Sequence, residues 1–148
     1  LQLGRWVLHE TCRIGRQWLD RGHPPLVLAV NVAAAQLRDS NFALEVLAVL
    51  AETGFPARML ELELTESSLM SGHENVIFQL QHLRKHDVRV AIDDFGTGYS
   101  SLSYLHRFPV HTIKIDQAFV RATDHADGHY PALLPVSGEK GEACRSCP

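Results

Sequence analysis

Cysteine is scarce: Cys12, Cys144 and Cys147 are the three in a chain of 148 residues. Three thiols cannot build the disulfide framework of a small secreted domain, so that class is excluded and a reduced, cytoplasmic setting is expected. Cys144 and Cys147 form a lone C-x-x-C with no second pair and no histidine beside it. They read as an incidental pair rather than a zinc site, and Cys12 reads as a core residue of a helix. No apolar run is long enough to cross a bilayer, and no signal-peptide pattern is visible. An excess of one charge is lacking too. Lys and Arg number 14 against 17 Asp and Glu, a net charge of -3. Such a balance gives no reason to expect binding to DNA, RNA or an acidic membrane surface. There is no initiator Met, and the opening Leu-Gln-Leu-Gly-Arg-Trp-Val-Leu already has the look of a helix entry. The expectation is a piece of a larger protein.

What is present is the composition of a folded domain, 45% hydrophobic and 21% charged, in a length that suffices for one core. Apolar residues at helical spacing predict helices over 4–21, 41–53 and 73–86, with Ser71 as the N-cap of the last, and a short helix over 99–107. Between them, apolar runs predict strands over 26–32, 59–64, 88–92 and 110–115. The first run has no polar alternation, which predicts a strand buried on both faces. Alternating helices and strands imply right-handed parallel units, either an open doubly wound sheet or an arc of a barrel. Beyond Arg121 the periodicity fails, so 122–148 is expected to be a disordered tail.

Polar residues recur at one end of these strands. Asn31 lies near the end of the first, Glu63 and Glu66 at the second, Asp93 and Asp94 at the third, Lys114 and Asp116 at the fourth. In parallel α/β folds the C-terminal strand ends share one face, and that face carries active sites. Adjacent carboxylates such as Asp93 and Asp94 repel unless a cation or strong donors offset them. Oxygen ligands of this kind suit Mg2+ or Mn2+ rather than zinc, and Lys114 could orient an attacking water or neutralise charge on a phosphate. Glu61, set between apolar positions, is expected to face away from this rim. The spaced pairs His82/His86 and His125/His129 read as a solvated helix surface and a tail feature. Gly96 and Gly98 read as turn residues, because no G-x-G-x-x-G is present. Asp94-Phe95-Gly96 lacks the catalytic loop that would make it a kinase motif.

The stretch Asp93-Asp94-Phe95-Gly96-Thr97-Gly98-Tyr99-Ser100-Ser101-Leu102 is preceded by Glu63-Leu64-Thr65-Glu66-Ser67 and followed by Lys114-Ile115-Asp116. Together these strongly resemble the EAL domain, a family of bacterial cyclic di-GMP phosphodiesterases built on a modified TIM barrel. Gly4-Arg5-Trp6-Val7-Leu8 and Val30-Asn31-Val32 fit the same pattern. The resemblance covers 1–121 and implies a partial TIM-like (β/α) barrel of about four parallel strands. It implies metal ligands at Asn31, Glu63, Asp93 and Asp94, with Asp93 bridging two Mg2+ or Mn2+ ions in the complete domain. It further implies a catalytic lysine at Lys114, Glu66 as anchor of the loop after Asp94, and Asp116 as a supporting carboxylate. The loop from Phe95 to Ser101 would couple metal binding to homodimerisation, and the reaction would open cyclic di-GMP to linear pGpG.

Departures accompany the match. The Glu-Ala-Leu signature with its metal-binding Glu is expected upstream, and a further Glu and a Gln downstream; none is in this sequence. Ala33 and Ala35 stand where the family often has Ser and a polar residue, and His86-Asp87 stands in place of Leu-Gly. A full barrel needs about 250 residues. The isolated 148-residue polypeptide is therefore expected to be inactive, with a degenerate cyclic di-GMP-binding or protein-binding module as the alternative.

Overall fold

A computed structural model describes residues 2–70, 74–95 and 108–116. The expected N-cap Ser71, the helix over 99–107, the loop 96–101 and the tail 122–148 lie outside the described residues. In chain order the elements are α1 (Gln2–Asp20), β1 (Leu28–Val32), α2 (Ala34–Leu37), α3 (Phe42–Thr53), a 3-10 turn (Ala57–Met59), β2 (Leu60–Thr65), α4 (Glu66–Met70), α5 (Glu74–Lys85), β3 (Arg89–Phe95) and β4 (Thr112–Ile115). Periodicity located the three long helices to within two residues. The short α2 and α4 carry too few turns to leave a periodic signal.

Each helix ends for a local reason. After α1, His23 N–H donates to the Trp18 carbonyl and Gly22 N–H to that of Leu19, the paired bonds of a Schellman closure. α3 stops at left-handed Gly54. α5 closes as α1 does, with Val88 N–H on the Leu83 carbonyl and Asp87 N–H on that of Arg84. Here the left-handed position is filled by Asp87 at φ 62°. That is the site where the family pattern has Gly, and a side chain there costs about 1 kcal/mol. Asp87→Gly is thus expected to stabilise the fold by about 1 kcal/mol, read as a higher urea midpoint at unchanged m-value.

The strands form one parallel sheet in the order β1-β2-β3-β4. A doubly wound sheet would reverse direction at a switch point; this order runs on without reversal, as in an arc of a barrel. Alternation along the strands sorts the side chains into two faces. Val30, Val32, Leu60, Leu62, Leu64, Val90 and Ile92 point to one side and join a single core with Leu8 and Cys12 of α1, Phe42, Val46 and Val49 of α3, and Val76, Leu80 and Leu83 of α5. Burial without a polar partner pushes the Cys12 thiol up to about 11, so it stays a neutral core residue. α1 comes close to the sheet at Gly15, where a Cβ would lie 2.6 Å from both Leu28 Cδ1 and Phe55 Cε2.

β1 corrects one expectation. Its residues alternate, with Val30 and Val32 buried but Ala29 and Asn31 exposed. The strand is covered on its helix side, while the Asn31 side belongs to the second, polar face of the sheet.

Candidate active site

Register defines that polar face. Ala29 pairs with Glu61 and Asn31 with Glu63; Glu61 pairs with Arg89, Glu63 with Ala91 and Thr65 with Asp93; Ala91 pairs with Thr112. Lys114, two residues beyond Thr112, falls on the same side. Inward-pointing residues of four parallel strands thus bring Asn31, Glu61, Glu63, Arg89, Asp93, Thr112 and Lys114 to one surface.

Glu63 and Lys114 are in direct contact. Lys114 Nζ donates to Glu63 Oε1, and it stands 3.9 Å from Glu61 Oε1. Both glutamates are 8% exposed. The hydrogen bond to Glu63, and then the charges of Glu63, Glu61 and Asp93, hold the Lys114 ammonium above the usual lysine range against the opposing effect of desolvation. At neutral pH Lys114 is therefore a fixed cation and proton donor. It can orient an oxygen or offset developing negative charge, and it is unsuited to act as a base.

Glu61 is a correction. It was expected to face away, yet it lies two residues from Glu63 and therefore on the same face. Its Oε2 is 3.4 Å from Arg89 Nε and accepts a hydrogen bond from Thr112 Oγ1 at 3.5 Å. Counting by twos from Glu63 would have found it in the sequence.

Asp93 and Asp94 do not follow the strand; they lie inside β3. Between Ile92 and Phe95 the pairing with β4 slips, with three steps along β3 set against two along β4. Asp94 adopts φ 54° at this bulge, and its N–H donates to Asp93 Oδ1 at 3.0 Å. A bulge re-aims side chains and is common beside active sites. It allows two successive acids to sit at one strand end without the strict alternation that would send them to opposite faces. Glu66 is buried at the first position of α4, and Asp116 follows β4 with its N–H bonded to the Phe95 carbonyl at 3.2 Å. The structure thus joins Glu63, Lys114 and Asp93 by contact or charge. It sets Asn31 beside Glu63 in register, and places Glu66, Asp94 and Asp116 at the ends of the same strands.

The donors Asn31, Glu63, Asp93 and Asp94 offer oxygen only, which fits a hard divalent cation. Among the described residues no group of three or more His, Cys, Asp or Glu side chains is gathered to hold a metal ion.

At the other end of β4, His111 joins the sheet through its ring. Val90 N–H donates to His111 Nδ1 at 3.1 Å, and His111 N–H donates to the Val90 carbonyl at 2.8 Å. Nδ1 must be unprotonated to accept that bond. Desolvation first, then the charges of Arg84 and Arg89, lower the His111 pKa, with Glu61 opposing. The unfolded chain then binds more protons than the folded one below the ordinary histidine pKa of about 6.5. Stability is expected to be unaffected by His111 above that pH and to fall as pH drops below it. Urea midpoints between about pH 5 and 8 should therefore flatten in His111→Asn relative to the parent.

A four-stranded parallel β/α arc with carboxylates and a lysine at its strand ends defines a class: an arc of a TIM-like barrel with a polar rim. The EAL domain profile matches residues 1–134, and the chain belongs to that family. It is 44% identical over 119 residues to the cyclic di-GMP phosphodiesterase NbdA of Pseudomonas aeruginosa, an alignment that covers 80% of this chain and 15% of NbdA. The structure of the PaMucR phosphodiesterase in complex with c-di-GMP aligns at a TM-score of 0.76 and 41% identity, covering 84% of this chain and 50% of that one. The EAL domain of Mycobacterium smegmatis DcpA aligns at a TM-score of 0.73 and 42% identity, covering 80% and 54%. The chain thus spans about half of these solved relatives and is a partial EAL domain. Among the described residues no helix is long and apolar enough to cross a membrane.

Proposed function

We propose that this chain carries one half of the active-site rim of a cyclic di-GMP phosphodiesterase. The observation that supports the reading most directly is the meeting of Glu63, Lys114 and Asp93 on the polar face of a sheet whose family relatives include named cyclic di-GMP phosphodiesterases. In this reading Asn31, Glu63, Asp93 and Asp94 would hold Mg2+ or Mn2+, which when bound polarises the phosphodiester and lowers the pKa of water. Lys114, a protonated donor beside the carboxylates, positions the attacking oxygen and offsets charge on the phosphate. Glu66 at the start of α4 and Asp116 after β4 support the strand ends on either side of β3. The loop that follows Phe95 is the proposed route to a homodimer of the complete domain, and the compartment is proposed to be cytoplasmic.

The test is a chimera in which residues 2–116 replace the matching half of the PaMucR barrel. Conversion of cyclic di-GMP to pGpG with Mn2+ by the chimera, and none by the isolated 148-residue chain, is the expected result. A folded chimera that binds cyclic di-GMP by calorimetry but leaves it intact would replace this reading with a binding module.

A further inference from the structure

We propose that His82 and His86, at the C-terminal end of α5, form a binding site for a divalent ion of the Cu2+, Ni2+ or Zn2+ class. The proposal stands apart from the phosphodiesterase reading and from the oxygen donors of the rim.

The two residues are four apart and therefore lie one above the other on a single flank of the helix. From the sequence they read as solvated surface; the structure brings their rings together, with centroids 4.8 Å apart and planes at 40°. A zinc–imidazole bond measures about 2.0–2.1 Å, so one nitrogen from each ring on a shared ion, at close to a right angle, sets the ring centres about 4.5–5 Å apart. The pair already has that separation. His86 is exposed and His82 half-buried, so an ion reaches them from solvent.

The tautomer of one ligand is set as well. His86 Nδ1 lies 2.9 Å from the His82 carbonyl oxygen. A carbonyl oxygen only accepts, so Nδ1 carries the proton and donates it. Nε2 of His86 keeps its lone pair for a ligand bond. A histidine whose other nitrogen donates to a backbone carbonyl is the arrangement found at metal centres, where it fixes the ring and raises the basicity of the ligating nitrogen.

The nearest cation on α5 does not oppose this. Arg84 stands about 200° round the helix from His82, and its charge acts on His111 on the other flank. Both ligands come from one helix end, so no other segment has to arrive to complete the pair. Among the described residues no third His, Cys, Asp or Glu is gathered with them, which leaves the remaining coordination positions to water. Two imidazoles select ions that favour nitrogen, Cu2+ above Ni2+ and Zn2+, and reject Mg2+, which favours oxygen. A bound ion pins the last turn of α5, just before left-handed Asp87 turns the chain into β3, so its binding energy adds to the stability of the fold.

The experiment uses the full 148-residue protein carrying Cys144→Ser, Cys147→Ser, His125→Asn and His129→Asn, which removes the other paired donors of the sequence. Calorimetry with the chlorides of Zn2+, Ni2+ and Cu2+ is expected to give one ion per chain at a Kd of roughly 1–100 µM, tightest for Cu2+. His82→Asn and His86→Asn, both at solvent-accessible positions, are each expected to weaken binding at least about tenfold. Long-range proton–nitrogen NMR spectra are expected to show the His86 ring in its Nδ1–H form, with both rings shifted by Zn2+ and unmoved by Mg2+. Saturating Zn2+ is expected to raise the urea midpoint of this parent and not that of its His86→Asn variant. No binding up to about 1 mM Zn2+, an affinity unchanged in both variants, or a His86 ring in its Nε2–H form overturns the proposal.

Discussion

Asp93→Asn in the PaMucR chimera is expected to lower cyclic di-GMP turnover by at least about 10²-fold. The substitution keeps the size of the side chain and removes its charge. Asp93 is placed for this sensitivity by two features. It shares the polar face with Glu63 and Lys114, and its charge is one of those that keep Lys114 protonated. It also opens the bulge of β3, where its Oδ1 accepts the Asp94 N–H. An asparagine can still accept that bond through its amide oxygen, so the backbone should hold while the electrostatics change. The measurement is kcat with saturating Mn2+, beside a thermal melt showing that the variant is folded. A kcat within about threefold of the parent would remove Asp93 from the chemistry and leave it a turn residue.

The strand–helix order was legible because each buried segment announces itself by period. Val46, Leu50, Val76, Leu80 and Leu83 recur at helical spacing in the sequence, and all are buried. The exposed side of β1 was not visible. An apolar run broken only by Asn31, such as Leu26–Val32, is what a strand buried on both faces looks like, yet Ala29 and Asn31 are exposed and Leu26 and Val27 stand out to solvent. Composition reports what a strand can tolerate; what covers it depends on other segments.

The site was partly legible for the same reason. Asn31, Glu63, Asp93 and Lys114 share a face because strand alternation is strict. The bulge at Asp93–Asp94 was not legible, since an extra residue in one strand is visible only against its partner. Glu61 was legible too, because it stands two residues from Glu63 on the same strand and so on the same face. Its contacts with Arg89 and Lys114 come from strands more than twenty residues away, and no local pattern carries them.

A buried amide far from the rim gives the largest expected loss of stability. Gln79 of α5 is 2% exposed. Its Oε1 accepts the N–H of Ala43 at 3.1 Å, in the first turn of α3, where helix donors have no partner of their own. Its Nε2 donates to the carbonyl of Leu37, the last residue of α2, at 3.2 Å. One side chain thus ties three helices, including the one that directly follows β1 and Asn31. Gln79→Leu fills nearly the same volume and removes both bonds, stranding a buried donor and a buried acceptor. Each stranded group costs about 1–3 kcal/mol, so a loss of about 2–6 kcal/mol is expected, a large part of the 5–15 kcal/mol that holds a typical domain together. Gln79→Glu separates the two bonds. Its carboxylate keeps an acceptor for Ala43 but at neutral pH faces the Leu37 carbonyl with no proton to give. Protonation restores the donor, so this variant should recover toward the parent in acid while Gln79→Leu does not. Urea unfolding at two pH values reads the difference. A loss below about 0.5 kcal/mol for Gln79→Leu would mean that other groups satisfy Ala43 and Leu37, and the tie between the helices would have to be sought elsewhere.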